Sequence, residues 1–215
     1  MALNREQIIR AAVAYADEQG LGSLTMRVLA RELRAGAMSL YHHVANKDDL
    51  VDGMVDLVAE ELADPTSGAD WRGVLRTSAV SLHEVLSAHP WASQCWTLRG
   101  SGAAKRRHSE SMLRAMRESG FSEELTCRGF HTVTMHVVGF TLQETELPFH
   151  DTSRQSEIAA AMISTVPEEE SPYFAEHIRH HILKPTERDD FSYVLDLILD
   201  GLERDWSAAQ NERRS

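Results

Sequence analysis

The chain has 215 residues, of which 42% are hydrophobic, with two cysteines and a formal net charge of −11. That is enough apolar material for a sizeable core in one large or two small domains, while two cysteines exclude a disulfide scaffold or a cysteine-built zinc site. No apolar run reaches the roughly 18 residues that a membrane span needs. The N-terminal MALNREQII lacks a signal-peptide core, so a cytoplasmic protein without membrane contact is expected.

No strand pattern, Gly-rich phosphate loop or repeat appears, and the fold class expected is all-α. Asn4 and Gln7 have the spacing of a capping box. The helix they start buries Ile8, Ile9, Ala12, Val13 and Ala16 and ends at Gly20. Thr25 is placed to cap a second helix with Met26, Leu29, Ala30 and Leu33 inward. Gly36 permits a sharp change of direction into a short segment, roughly 37–44. There Leu40 and Val44 face inward and Ser39, Tyr41, His42 and His43 face outward. A helix–turn–helix of this size can set its second helix in a DNA major groove, although such pairs also occur in any all-α protein.

Asn46, with Asp49 three residues on, predicts the start of a connecting helix over about 48–62. Turn-rich DPTSGAD follows, then helices over Trp71–Ala88, Lys105–Ser119, Glu123 to about Leu147, Tyr173–Leu183 and about Asp189 to Trp206. A short aromatic stretch occupies 91–98, a polar loop 148–156, a short helix 158–166 and an acidic link 167–172. The run Lys105-Arg106-Arg107 reads as a charged helix start on a solvated face. The domains predicted are 1–47, a three-helix head; 48–208, a larger helical domain; and 209–215, a disordered tail.

The charge is unevenly spread. Residues 1–47 hold six Lys or Arg against four Asp or Glu, whereas the remainder holds 16 against 29. Phosphate contact needs local positive charge, so the acidic remainder leaves one end of the molecule to dock on DNA. Two helices carry more apolar surface than one domain is expected to cover. One holds Phe191, Leu195, Ile198, Leu199 and Leu202; the other holds Val133 and Val137 on a second face. These predict pairing in a bundle across a two-fold axis.

Leu29-Ala30, followed by Leu40-Tyr41-x-His43-Val44-x-Asn46-Lys47, resembles the DNA-binding domain of the tetracycline-repressor (TetR) family. The chain departs from that family in its turn, where Arg34-Ala35 stands in place of the usual Gly-Val. Gly120-Phe121-Ser122, Gly139-Phe140-Thr141-Leu142 and Leu197-Ile198-Leu199-x-Gly201-Leu202-Glu203 look like C-terminal counterparts in tetracycline repressors, as do Trp71 and Leu75. The resemblance implies a homodimeric, ligand-responsive repressor of transcription that binds palindromic operator double-stranded DNA and a small-molecule effector, with no cofactor and no enzyme activity. It implies DNA contacts from Arg27, Ala37, Met38, Ser39, Tyr41 and His42, and a phosphate contact from Lys47.

The resemblance also places a pocket. The polar positions that hold a drug–magnesium chelate in tetracycline repressors fall here at Trp96, Ser78, Met112 and Ala63. Trp cannot coordinate magnesium and Met cannot replace an amide, so that chelate is not expected. Instead, Leu82, Trp96, Met112, Met116 and Phe130 are expected to line a mostly apolar cavity with Ser78, His131 and Thr134 as polar anchors. The second reading is a metal-responsive regulator or metal-dependent enzyme, because His177 and His181 share an i, i+4 helical face beside His180.

Overall fold

The computed structural model describes residues 3–65, 70–97, 99, 102–146, 168–182 and 190–214, with 157, 158, 160, 161, 164 and 165. Among the described residues no strand occurs. The head contains α1 (Arg5–Gln19), a 3-10 turn (Leu21–Ser23), α2 (Met26–Glu32) and α3 (Ala37–Tyr41). The connecting helix is α4 (Lys47–Ala59). The larger domain contains α5 (Trp71–Ala88), α6 (Pro90–Ser93), α7 (Ala103–Glu118), α8 (Glu123–Glu146), α9 (Pro172–Ile182) and α10 (Asp190–Arg214). The expected polar loop at 148–156 lies outside the described residues, as does much of the expected short helix at 158–166. The tail expected after residue 208 is instead a continuation of α10 to Arg214. Trp206 helps hold that end: its indole N–H donates to the Ser119 carbonyl at 2.9 Å, and its ring stacks on Phe121 at 5.8 Å.

Side-chain caps start three helices where the sequence predicts them, at Asn4, Thr25 and Asn46, and Asp70 adds one that it does not. Asn4 and Gln7 form the reciprocal capping box. Thr25 accepts from the Val28 amide, Asn46 from Asp49 and Asp70 from Gly73. Each satisfies an amide that the helix itself leaves unpaired. Gly20 ends α1 at φ 78°, a conformation that glycine adopts without steric cost. The turn between α2 and α3 departs from expectation. Gly36 is ordinary extended backbone at φ −73°, and the left-handed residue is Arg34 at φ 50°. The reversal is therefore made two residues earlier, on a side chain with a Cβ.

Polar contacts from α1, α4 and the residues just beyond α4 join the head to the larger domain. Asp48, Asp52 and Asp56 recur every four residues and lie along one side of that helix. Asp48 accepts from the Arg99 guanidinium at 2.7 Å. Asp56 Oδ1 accepts from the amides of Ala104 at 2.9 Å and Lys105 at 3.2 Å, so α4 supplies the cap that Gly102 cannot give α7. At the far end, the His89 imidazole lies between Asp17 of α1, at 2.8 Å, and Glu61 beyond α4, at 3.3 Å. The Trp91 indole also donates to Asp17 at 2.7 Å. Burial opposes a charge on His89, but the two carboxylates outweigh it and raise the imidazole pKa above its ordinary 6.5. Close helix packing completes the junction: a Cβ on Gly53 of α4 would lie 2.6 Å from Ile9 Cδ1 of α1.

In the larger domain, α10 packs on α8 and is tied to α5. Arg72 of α5 pairs with Asp200 at 2.5 Å and Glu203 at 3.4 Å, and Arg76 pairs with Asp196. Phe191 stacks on His83 of α5 at 4.2 Å and on His136 of α8 at 5.0 Å.

Two outcomes follow. Arg34→Gly removes the left-handed strain of about 1–2 kcal/mol and makes the unfolded chain looser, leaving a net gain of about 1 kcal/mol and a Tm higher by roughly 2–4 °C. Thermal unfolding checks this, and an unchanged or lower Tm contradicts it. Because the folded-state pKa of His89 is raised, its stabilising effect is full below 6.5 and is lost as pH rises through the folded value. Replacing His89 with Gln removes that component, so the wild-type advantage in Tm is largest in mild acid and shrinks toward alkaline pH. A Tm difference independent of pH contradicts the assignment.

Candidate nucleic-acid interface and effector region

The head presents α3 outward. A five-residue helix has no stability of its own in water. It is held by Leu40, fully buried, and Val44 just beyond it, each burial contributing roughly 1.5–3 kcal/mol. A polar clamp holds the other side. Arg5 of α1 makes a two-pronged pair with Asp49, at 2.7 and 2.9 Å, and donates to the His43 carbonyl at 3.0 Å. Asp49 in turn accepts from the Ala45 amide at 2.8 Å. These bonds, the one from Arg5 first, hold the Asp49 carboxyl below the usual carboxylate range. The segment between α3 and α4 is thus fixed to α1.

On the open side, Ala37, Met38, Tyr41 and His42 are exposed, Met38 by 72% and Tyr41 by 46%, and Ser39 is half-buried beside them. Arg27 of α2 and Lys47 at the start of α4 are also exposed. All seven predicted DNA-contact positions can therefore be reached from outside. The six cations of the head divide. Arg5 is spent on Asp49, Arg10 on Glu6 and Arg31 on Glu32. Arg27, Arg34 and Lys47 have no ion pair among the described residues and flank α3 in sequence. The contribution of Arg5 and Asp49 could not be read from spacing, because they lie 44 residues apart.

The predicted effector positions are brought together only in part. Ser78, Leu82, Trp96, Met112 and Met116 are buried where α5, α6 and α7 meet α8. Phe130 and Thr134 are half-buried, and the Thr134 hydroxyl donates to the Phe130 carbonyl of its own helix. His131 is a correction: it is exposed, because the inward side of α8 is set by Val133 and Val137, and position 131 points away from it. Lys105 is another. Rather than lying on a solvated face, it is buried, donates to the Trp96 and Arg99 carbonyls, and lies 5.2 Å over the Trp96 ring. Burial lowers its pKa.

Sequence reasoning missed His108. It lies one turn before Met112 and two before Met116, on the same inward stripe of α7. Both of its ring nitrogens are buried without a hydrogen-bond partner. Burial pushes its pKa down to about 4, so the ring is neutral at physiological pH. The Ser78 and Ser93 hydroxyls are likewise buried and unpartnered. The four-residue spacing to Met112 was the available signal, and it was hidden by the surrounding run of charged residues.

The residues expected at a dimer interface are relocated. Val133, Val137, Phe191, Leu195, Leu199 and Leu202 are buried within a single protomer, and only Ile198 is half-buried. The reason is the packing of α10 onto α8 and α5, which covers the apolar stripe from inside. The apolar side chains left uncovered on these helices are Met135, Tyr193, exposed by 63%, and Leu197, exposed by 55%. Among the described residues no three His, Cys, Asp or Glu side chains group as a metal site. His177 is exposed, and the side chains of His180 and His181 lie outside the described residues.

Comparison with known proteins agrees with this arrangement. Residues 8–54 match the family described as bacterial regulatory proteins, tetR family, and residues 64–205 match the tetracyclin repressor-like C-terminal domain. An HTH-type transcriptional regulator of Saccharopolyspora erythraea is 36% identical over 141 residues, which cover 64% of this chain and 59% of that relative's length. The class D tetracycline repressor protein of Escherichia coli is 31% identical over 149 residues, 67% of each chain. The solved structure of the Streptomyces coelicolor TetR family protein ActR in complex with (S)-DNPA has a TM-score of 0.77 at 25% identity, covering 95% of this chain and 99% of that one. None of these relatives is a metal enzyme by name. With a helix–turn–helix head and a helical C-terminal domain both matched, the chain belongs to the TetR family of bacterial regulatory proteins.

Proposed function

We propose that this chain is a homodimeric repressor that binds a palindromic operator in cytoplasmic double-stranded DNA and is released by a small, mostly apolar effector. The observation that carries this reading is the head itself. A short helix, pinned from behind by Leu40 and by the Arg5–Asp49 clamp, presents Met38, Ser39, Tyr41 and His42 to solvent between exposed Arg27 and Lys47. A row of this kind can enter a major groove while the cations meet phosphates. Lys47 occupies the first turn of α4, so its ammonium and the free amides of that helix end can share one phosphate.

The coupling between effector and operator runs through α4. Its N-terminal end carries the head, and Asp48 and Asp56 bind the ends of the α6–α7 connection. A ligand that repacks Met112 and Met116 shifts α7, and α7 is capped by Asp56. The resulting tilt changes the separation of two heads in a dimer, and operator DNA fits one separation. The dimer surface proposed is the uncovered face of α8 and α10, with Met135, Tyr193, Leu197 and half-buried Ile198.

Two experiments test the reading. In gel-shift or fluorescence titrations against an operator selected from genomic fragments, Lys47→Ala lowers the salt slope by roughly one unit for all sequences. His42→Ala instead changes preference by about 1–3 kcal/mol at one base pair. Wild-type behaviour from both variants removes the head from DNA recognition. Leu197→Asp yields folded monomers in sedimentation, whereas Leu195→Asp, which buries a carboxylate in the protomer core, loses the fold. A tight dimer of Leu197→Asp places the interface elsewhere.

A further inference from the structure

The effector region contains a side chain whose hydrogen-bonding capacity is unused. His108 is 8% exposed, and neither Nδ1 nor Nε2 has a partner. Buried polar groups are ordinarily satisfied, because an unpaired one costs the full desolvation of that group. Even the half-buried imidazoles of this domain are partnered: His83 meets the Thr141 hydroxyl at 2.9 Å, and His136 meets the Phe191 carbonyl at 3.1 Å. His108 is the exception on a buried stripe that it shares with Ala104, Met112 and Met116, on the helix that packs against α4, α5 and α8.

Its surroundings indicate what would satisfy it. No carboxylate pairs with the ring, and burial alone sets its charge state. The buried cation of that helix, Lys105, donates to the Trp96 and Arg99 carbonyls, and Arg106 and Arg107 are exposed. No charged group acts on the ring itself, so the His108 position offers no charge to balance an ionic group placed against it. A neutral imidazole has one lone-pair acceptor and one N–H donor. The thioethers of Met112 and Met116, with the Trp96 indole, favour contact with a flat aromatic surface.

We propose that His108 is the specificity-determining residue of the effector site, and that it selects an uncharged aromatic compound carrying a hydroxyl group, which donates to the unprotonated ring nitrogen. The ring N–H is then left for a carbonyl of the same ligand. This inference rests on the effector region proposed above. It also accounts for a buried residue kept without a partner: the missing hydrogen bond is supplied by the ligand, and the free protein is less stable for it.

Three size-matched probes separate the possibilities: 2-naphthol, 2-naphthoate and 2-methylnaphthalene, titrated by tryptophan fluorescence at neutral pH. Wild type binds 2-naphthol about ten-fold more tightly than the other two, the discrimination expected when a buried polar group would otherwise stay unpaired. In His108→Leu the naphthol advantage disappears while 2-methylnaphthalene binds at least as well, and the ligand-free Tm rises. His108→Met replaces this variant if the leucine substitution does not fold. Met112→Arg abolishes binding of all three. An advantage for 2-naphthol that survives in His108→Leu, equal binding of 2-naphthoate by wild type, or no binding of any probe overturns the proposal. Methylnaphthalene binding that depends on Met112 without any naphthol advantage overturns the His108 role alone. Binding of all three that ignores Met112→Arg overturns the effector region as well.

Discussion

Asp56 ties the two halves of the molecule together. It belongs to the helix that carries the head, yet its carboxylate serves the first amides of α7 in the other domain. Gly102 precedes α7 and has no side chain with which to cap it. The free amides of a helix start need an acceptor, and when that acceptor comes from another element the two elements must move together. Asp48 and Arg99 repeat the linkage two turns earlier on the same face of α4. His89 adds a third point, between α1 and the end of α4, which depends on protonation. These bonds lie at the edge of an apolar core that is continuous through Met54, Val55 and Val58 of α4, so they orient elements that burial already holds together.

The same separation resolves the charge of the protein. A chain at −11 can approach a polyanion, as proposed, because the unpaired cations of the head lie beside the exposed helix and the acidic excess lies in the other domain. Half of the head's basic residues are neutralised by local carboxylates, and those left, Arg27, Arg34 and Lys47, flank the exposed helix in sequence. In the larger domain, carboxylates of α10 are taken by Arg72 and Arg76 of α5. There the acidic excess serves packing as well as solubility.

The sequence by itself determined most of the long helices, the capped starts of α1, α2 and α4, and the exposed row of α3. Asn4, Thr25 and Asn46 act on amides three residues away, so their effect is contained in a few consecutive positions. Inward faces were also legible, because burial repeats with the helical period. Tertiary structure alone decided what each face meets. Leu195 and Leu197 lie two residues apart on one apolar helix, yet the first is sealed against α8 and α5 and the second is open. Periodicity marks a face as apolar but does not say whether the same chain or a second copy covers it. Likewise Arg5 finds Asp49, Asp56 finds Ala104 and His89 finds Asp17 across 44, 48 and 72 residues. His108 shows the converse, a residue whose significance is that nothing in the fold meets it. The partner of a side chain, or its absence, is a property of the packed molecule, since it depends on how several helices are arranged together and not on the period of any one.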